Sequence, residues 1–288
     1  MFIENFPLSK VTSLGVGGPA DLFIQPKSAE EVAKTQRFAL ERNLPLTVIG
    51  YGTNLLVRDG GIRGVVVQIA DSLASAQVRG TSLTAQAGCL LGSLAKLALH
   101  HSLTGLEFAV GIPGGIGGAT FMNAGAYGGE IGPLVAGIEF VQDGKVQRWK
   151  GEEFYFAYRS SRLQEEAKDA IVTGVELKLA PGAKPTILEA MNDFQEQRRS
   201  KQPLEYPSAG STFKRPPGHY VGPLIEQAGL KGLRIGGAEV STKHAGFIVK
   251  KGEASSRDFL NLITKIQEII LQDFGIALEP EIRILGED

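Results

Sequence analysis

Ten of the twenty-eight residues from Gly105 to Gly132 (GLEFAVGIPGGIGGATFMNAGAYGGEIG) are glycine. Phe108, Ile112, Ile116, Phe121 and Met122 are spaced among them, so the segment can pack while much of its backbone stays bare. Glycine loses more chain entropy on ordering than any other residue. A folded run this rich in it must therefore use what glycine alone supplies, positive φ angles or close backbone approach to another group. A single Gly-Gly pair reads as a tight turn between strands. The whole run reads as a cradle in which clustered N–H groups meet a phosphate-bearing cofactor.

The rest of the chain narrows the class. Its 288 residues leave room for two or three domains. Thirty basic and 31 acidic residues are interspersed, for a net charge of −1, which excludes the basic footprint of a nucleic-acid or membrane-surface binder. No apolar stretch approaches the roughly 20 residues that span a bilayer. The start, MFIENFPLSKV, lacks the basic and apolar regions of a signal peptide. Cys89, the single cysteine, excludes an internal disulfide and a cysteine-cluster metal site, and a cytoplasmic protein is expected. The histidines at 100, 101, 219 and 244 show no metal-ligand spacing, so no metal is expected.

Along the chain, Asp21–Gln25 reads as a strand and Ser28 as the cap of a helix reaching Arg42, through the pattern S-A-E-E. Strands at Leu46–Ile49 and Gly64–Ile69 complete a small βαβ layer. Ala74–Gly88 reads as strand, turn, strand, followed by a helix over Leu90–His101. Asp143-Gly144 marks a hairpin between Gly137–Gln142 and Val146–Trp149, and Ala170–Leu179 alternates as a strand. The main boundary falls after Pro181. Beyond it come helices at Pro185–Lys201 and Val221–Ala228, with strands at Arg234–Val240 and Phe247–Lys250. The clearest helix is Ser256–Phe274, whose apolar residues follow the 3.6 period and which stops at Gly275. A last strand is expected over Glu279–Leu285.

Gly15-Val16-Gly17-Gly18-Pro19-Ala20 matches the dinucleotide pattern G-x-G-x-x-A, but an apolar strand follows where a helix should open, which rejects a Rossmann site. There is no P-loop and no G-x-S-x-G elbow. The loop Gly50-Tyr51-Gly52-Thr53-Asn54, directly after a buried strand, places several donors where an anion can sit. Arg159 in YRSSR, Ser211 in a glycine-serine loop and Glu281 in EPEIRIL are polar residues whose ordinary readings are a solvated arginine, a turn serine and a solvent-facing strand edge.

Taken together and in order, these segments resemble the UDP-N-acetylenolpyruvoylglucosamine reductase (MurB) family, in its compact subtype that lacks a tyrosine loop over the substrate. The resemblance is carried by TSLGVGGPAD (12–21), GYGTNLLVRDGGIRGVVV (50–67), the glycine stretch (105–131), YRSSRL (158–163), RRSKQP (198–203), PSAGSTFKRP (207–216), LIEQAGLKG (224–232) and LEPEIRILG (278–286). It implies an α+β protein with a vanillyl-alcohol-oxidase-like (PCMH-type) FAD-binding fold. That fold would occupy residues 1–181, with lobes at about 1–70 and 71–181, and 182–288 would form an α+β domain for the UDP-sugar. It implies non-covalent FAD reduced by NADPH, an enolpyruvyl UDP-N-acetylglucosamine substrate, and a monomer in peptidoglycan precursor synthesis.

By position, the family's catalytic arginine, proton-donating serine and glutamate fall on Arg159, Ser211 and Glu281. The flavin loops fall on Gly50, Gly52, Thr53, Asn54 and Leu55, and on Gly111, Pro113, Gly114, Gly115, Gly117, Gly118, Ala119 and Asn123. Substrate contacts fall on Tyr158, Arg198 and Lys201. The residue types suit these roles. Hydride delivered to the substrate's methylene carbon pushes charge onto the α-carbon and its carboxylate. An arginine fork stabilises that charge by roughly 3–4 kcal/mol per donor, and a neutral hydroxyl is acidic enough to protonate the carbanion-like carbon. Glu281 either orients Arg159 or shares a proton with the enolate. The chain departs from many relatives at Arg215-Pro216 and at Lys250, each in place of an asparagine. A different flavoenzyme of this fold, such as an alcohol oxidase, would need a base where Ser211 stands, and a non-catalytic nucleotide-sugar binder would not need the flavin loops.

Overall fold

The Asp143-Gly144 pair sets a tight turn of a five-stranded sheet. Both residues take positive φ, 51° and 68°. Strand Val135–Gln142 returns as Lys145–Lys150, with Gln142 opposite Lys145. A two-residue turn with both φ values positive matches the twist of the flanking strands. The computed structural model describes residues 1–167 and 169–288, with every side chain among them except that of Glu152.

In chain order the helices are α1 (Ala29–Glu41), α2 (Leu91–His100), α3 (Ile116–Phe121), α4 (Arg162–Glu165), α5 (Lys184–Lys201), α6 (Val221–Gln227) and α7 (Ser256–Phe274). Contacts divide the chain into two compact units. The first holds residues 1–2, 23–51 and 64–198, and the second holds 3–22, 52–63 and 199–288.

The first unit is built on a five-stranded antiparallel sheet in the order Lys145–Lys150, Val135–Gln142, Ile171–Lys178, Ser82–Gln86, Ala76–Arg79. Helix α1 packs against it through Gln36, only 4% exposed. The Gln36 carbonyl accepts from Gly144 N at 2.7 Å and its amide donates to Asp169 O at 2.7 Å. Ser28 caps α1 by accepting from Glu31 N at 3.2 Å. The Glu31 carboxylate reaches back to Lys27 N instead of Ser28 N, so the capping box closes one residue early. Leu46–Ile49 runs parallel to Val65–Gln68.

The second unit centres on α7. Its sheet runs Ser208–Ser211, Phe247–Lys250, Ala238–Val240, Arg234–Ile235, all antiparallel. Phe259, Leu262, Ile263, Ile266 and Ile270 of α7 pack with Leu14, Val16, Leu56, Phe213, Ile225 and Ile282 into one buried cluster. Arg283–Leu285 pairs in parallel with Leu55–Val57.

Two expected strands are corrected. Arg234–Val240 is a hairpin of two short strands, because Gly236 takes φ 54° and a Cβ on Gly237 would overlap the Glu253 carbonyl. The last strand begins at Arg283, not Glu279. Pro280 has no N–H for a ladder and makes only an isolated bridge to Phe213.

Candidate active site

In the first unit, the glycine stretch is neither a loop nor a row of turns. A 3-10 turn (Glu107–Gly111) leads to α3, and then to a hairpin of Gly125–Ala126 with Gly129–Glu130. The N-termini of α2 and α3 meet at a bridge between Leu90 and Gly115, where Leu91 N donates to Gly114 O at 3.1 Å and Ile116 N to Cys89 O at 2.8 Å. Neither helix has a side-chain cap or an acidic residue in its first turn. Two helix N-termini without acidic neighbours favour an anion.

The glycines divide by what surrounds them. A Cβ on Gly117 would stand 2.6 Å from Ala87 Cβ, so the protein's own packing requires that glycine. Gly118 is exposed, with nothing within 4 Å of where its Cβ would be, which leaves room for a bound group over the start of α3. Gly50 is similarly unencumbered, with Ile69 O at 3.8 Å. Tyr51 joins its loop to the stretch. A Cβ on Gly115 would lie 3.3 Å from the Tyr51 ring, and the phenol oxygen is 2.6 Å from Asp71 Oδ1 and 2.8 Å from Gly88 O. Burial and the Asp71 carboxylate both push the Tyr51 pKa up, so the phenol stays protonated. The Leu91, Ile116 and Gly117 amides are taken by the Gly114, Cys89 and Ala87 carbonyls, so it is the open Gly50 and Gly118, beside two helix N-termini without acidic neighbours, that fit the pyrophosphate of a flavin dinucleotide.

Arg159 sits in the turn between Phe156–Ala157 and Ser160–Ser161, at φ 54°. Its Nη2 donates to Gly125 O at 3.0 Å, and its guanidinium lies 5.0 Å from the Tyr158 ring centre. Arginine is uncommon in the left-handed region, and such residues persist where surroundings enforce them. Arg198, on α5, lies against Gly111, where a Cβ would stand 2.9 Å from its Cδ. One turn earlier Phe194 stacks on Tyr127, with ring centres 4.9 Å apart. Burial lowers the Arg198 pKa and raises that of Tyr127. Lys201, a further turn along α5, is exposed, as is Tyr158.

In the second unit, Ser211 and Glu281 lie on paired segments. Lys214 N donates to Glu279 O at 2.8 Å and Glu281 N to Thr212 O at 2.8 Å. Asn54 joins them, its side-chain amide donating to Glu281 O at 3.1 Å while its main-chain carbonyl accepts from Arg283 N at 2.9 Å. Ser13 Oγ lies 2.7 Å from Ser208 O and 3.1 Å from Gly52 O, tying the strand that ends at Ser211 to the loop at Gly52. A Cβ on Gly52 would overlap the Val11 carbonyl. Leu55 is buried in the parallel strand pair. Lys250 Nζ donates to Gly15 O at 3.1 Å, so this departure staples the Thr12–Gly18 turn. Arg215, the other departure, covers the Tyr220 ring at 3.6 Å.

Within the units, Tyr158 lies beside Arg159, Arg198 lies against Gly111, and Ser211, Glu281 and Asn54 share one region. Thr53 lies within the loop that begins at Gly50, Pro113 lies between the 3-10 turn and α3, and Ala119 and Asn123 are buried in or just beyond α3. Tyr51 and Ser13 were not anticipated from sequence. A tyrosine between two glycines and a serine beside a G-x-G-G run were the available signals.

The chain is similar to known proteins along nearly its whole length. Residues 20–149 match the model of an FAD binding domain, and residues 202–285 match the C-terminal domain of UDP-N-acetylenolpyruvoylglucosamine reductase. A reductase of that name from Latilactobacillus sakei is 50% identical over 98% of this chain and 93% of its own length. Another, from Listeria monocytogenes, is 47% identical over 99% and 95%. The crystal structure of the reductase from Thermus caldophilus superimposes with a TM-score of 0.87 at 36% identity, covering 99% of this chain and all of that one. The chain belongs to the UDP-N-acetylenolpyruvoylglucosamine reductase family and carries its FAD-binding domain.

Proposed function

We propose that the chain is the FAD-dependent oxidoreductase that reduces UDP-N-acetyl-3-O-(1-carboxyvinyl)-glucosamine to UDP-N-acetylmuramate with NADPH, in peptidoglycan precursor synthesis. The observation that carries this reading is the chain-long likeness to reductases of that name, 50% identical over 98% of the chain. FAD, once bound and reduced by NADPH, would supply the hydride for the methylene carbon of the enolpyruvyl group.

The chain's own residues do the rest. Arg159 holds the substrate carboxylate in its planar fork and stabilises the charge that develops there. Its enforced backbone and the bond to Gly125 support that role, since a preorganised donor needs no rearrangement as charge develops. Ser211 donates its hydroxyl proton to the α-carbon, and Glu281, on the segment paired with it, supports the transfer. Arg198 and Lys201 meet the diphosphate and Tyr158 the substrate beside Arg159. The Gly50–Leu55 and Gly111–Ala119 segments hold the flavin. The protein works as a cytoplasmic monomer, and none of its described helices is long and apolar enough to cross a membrane.

Anaerobic mixing of the reduced protein with the enolpyruvyl UDP-sugar tests the assignment. The oxidised-flavin absorbance should return with one UDP-N-acetylmuramate formed per flavin, and a flavin that stays reduced overturns it. Arg159→Lys should slow that reoxidation severely, because lysine lacks the planar fork. Reoxidation at the wild-type rate removes Arg159 from the chemistry.

A further inference from the structure

Asn123 lies at the end of the flavin-binding stretch, yet its carboxamide is engaged by the protein. The residue is 1% exposed. Its Nδ2 donates to Glu130 Oε2 at 3.0 Å and to Ala157 O at 2.9 Å, and its Oδ1 accepts from Gly132 N at 2.8 Å. Both N–H groups and one lone-pair direction are therefore in use. The backbone stands at φ 47°, in the left-handed region that asparagine tolerates better than most residues.

The three partners belong to two structures. Glu130 ends the hairpin of Gly125–Ala126 with Gly129–Glu130, and Gly132 lies two residues beyond it. Ala157 lies in the hairpin of Phe156–Ala157 with Ser160–Ser161, whose turn carries Arg159. Asn123 thus fastens together two hairpins of two-residue strands, each too short to hold its shape alone. The same two hairpins carry the two ends of another bond, Arg159 Nη2 to Gly125 O.

Gln164 closes the arrangement from the other side. Its Nε2 lies 2.9 Å from Phe121 O, at the end of α3, and 3.2 Å from Arg159 O. Ser161 Oγ donates to the same Phe121 carbonyl at 2.6 Å. Arg159, in a conformation that only its surroundings can enforce, is therefore held at its carbonyl by Gln164. The hairpin beneath its guanidinium is held by Asn123.

We propose that Asn123 and Gln164 are positioning residues for the Arg159 guanidinium, and that Asn123 acts on the reaction through Arg159 instead of through the flavin. This rests on the assignment of Arg159 to the substrate carboxylate. The role is specific to one half of the catalytic cycle, since a carboxylate-binding group matters when the enolpyruvyl substrate reacts and not when the flavin is loaded.

Asn123→Gly keeps the left-handed backbone and deletes the amide, and Gln164→Leu deletes the other clamp at a half-buried site. Each is measured for FAD affinity, for flavin reduction by NADPH and for reoxidation by the enolpyruvyl UDP-sugar. FAD affinity and reduction should match wild type while reoxidation falls about 10- to 100-fold, the range that a misplaced reacting group costs. In an Arg159→Ala background, either change should add nothing. A loss of FAD affinity, an equal slowing of both half-reactions, or an undiminished effect in the Arg159→Ala background overturns the proposal. Wild-type reoxidation by either single variant does the same for that residue. If Arg159→Ala itself reoxidises normally, the assignment of Arg159 fails first and the positioning role falls with it. Gln164→Leu stands as a separate test of the clamp should Asn123→Gly not fold.

Discussion

The proton-donor role proposed for Ser211 needs a hydroxyl that is accessible and still firmly mounted, and Ser211 meets both conditions. It is exposed at the end of its strand, just after Gly210 at φ 79° interrupts the register. Its neighbour Thr212 is buried, accepts from Ile248 N at 3.2 Å through its hydroxyl, and receives Glu281 N on its carbonyl. Ser211→Ala should leave flavin reduction by NADPH untouched while turnover of the enolpyruvyl substrate falls by about 10²–10⁴, the usual contribution of a positioned acid. Stopped-flow and steady-state rates separate the two, and near-normal turnover removes Ser211 from the mechanism. His244 offers a residue-level test of stability. Its Nδ1 accepts from Gly246 N at 3.1 Å, and burial lowers its pKa below the ordinary 6.5. Between that lowered value and 6.5 the unfolded chain binds more protons than the folded one, so stability rises with pH in this window and is lost as pH falls through it. Melting temperatures taken from about pH 5 to pH 8 should drop at the acid end more steeply for wild type than for His244→Gln. What could not be read at this scale was how Arg159 is held. Its left-handed backbone and the Asn123–Ala157 bond depend on a segment 34 residues away, and no local pattern encodes that meeting.

Elements were legible where their signals are local. Helix α7 occupies the residues its apolar period predicts, capped by Ser255 and ended by Gly275 at φ 68°. Ser255 Oγ accepts from Asp258 N at 3.2 Å, and the Asp258 carboxylate accepts from Ser255 N at 3.0 Å and Gly237 N at 3.2 Å. Ser255→Ala should therefore cost about 1 kcal/mol in chemical denaturation. Ile266→Ala, at a fully buried position, should cost about 2–5 kcal/mol. Equal losses from the two would contradict the packing described here. Helix α3 was not legible, and the reason is physical. Two of its six residues are glycine, which disfavours a helix interior. It forms because Ala87 O and Cys89 O receive the amides of Gly117 and Ile116, at 2.8 Å each, and so fix its first turn from outside. The shortened last strand has the converse cause, since apolar alternation through Pro280 implied a ladder that proline cannot join.

At the scale of the molecule, the second unit gathers its core from three separated stretches of chain. Leu14, Val16 and Leu56 are 1%, 3% and 0% exposed within the cluster around α7. Leu55–Val57 is the strand partner of Arg283–Leu285, and Arg58 N and Gly60 N donate to Leu285 O and Glu287 O at 2.9 Å each. Residues 199–288 expressed alone would lack all of these. Losing a buried leucine side chain typically costs about 2–5 kcal/mol. Two leucines, a valine and a strand pairing together therefore rival the roughly 5–15 kcal/mol that stabilises an entire domain. The isolated 199–288 fragment should show no cooperative thermal transition by circular dichroism and poorly dispersed amide resonances, under conditions in which the full chain melts cooperatively. A sharp transition in the fragment would mean that α7 and its sheet form a self-sufficient core, and that the contribution of the N-terminal segments to this unit is smaller than their burial indicates.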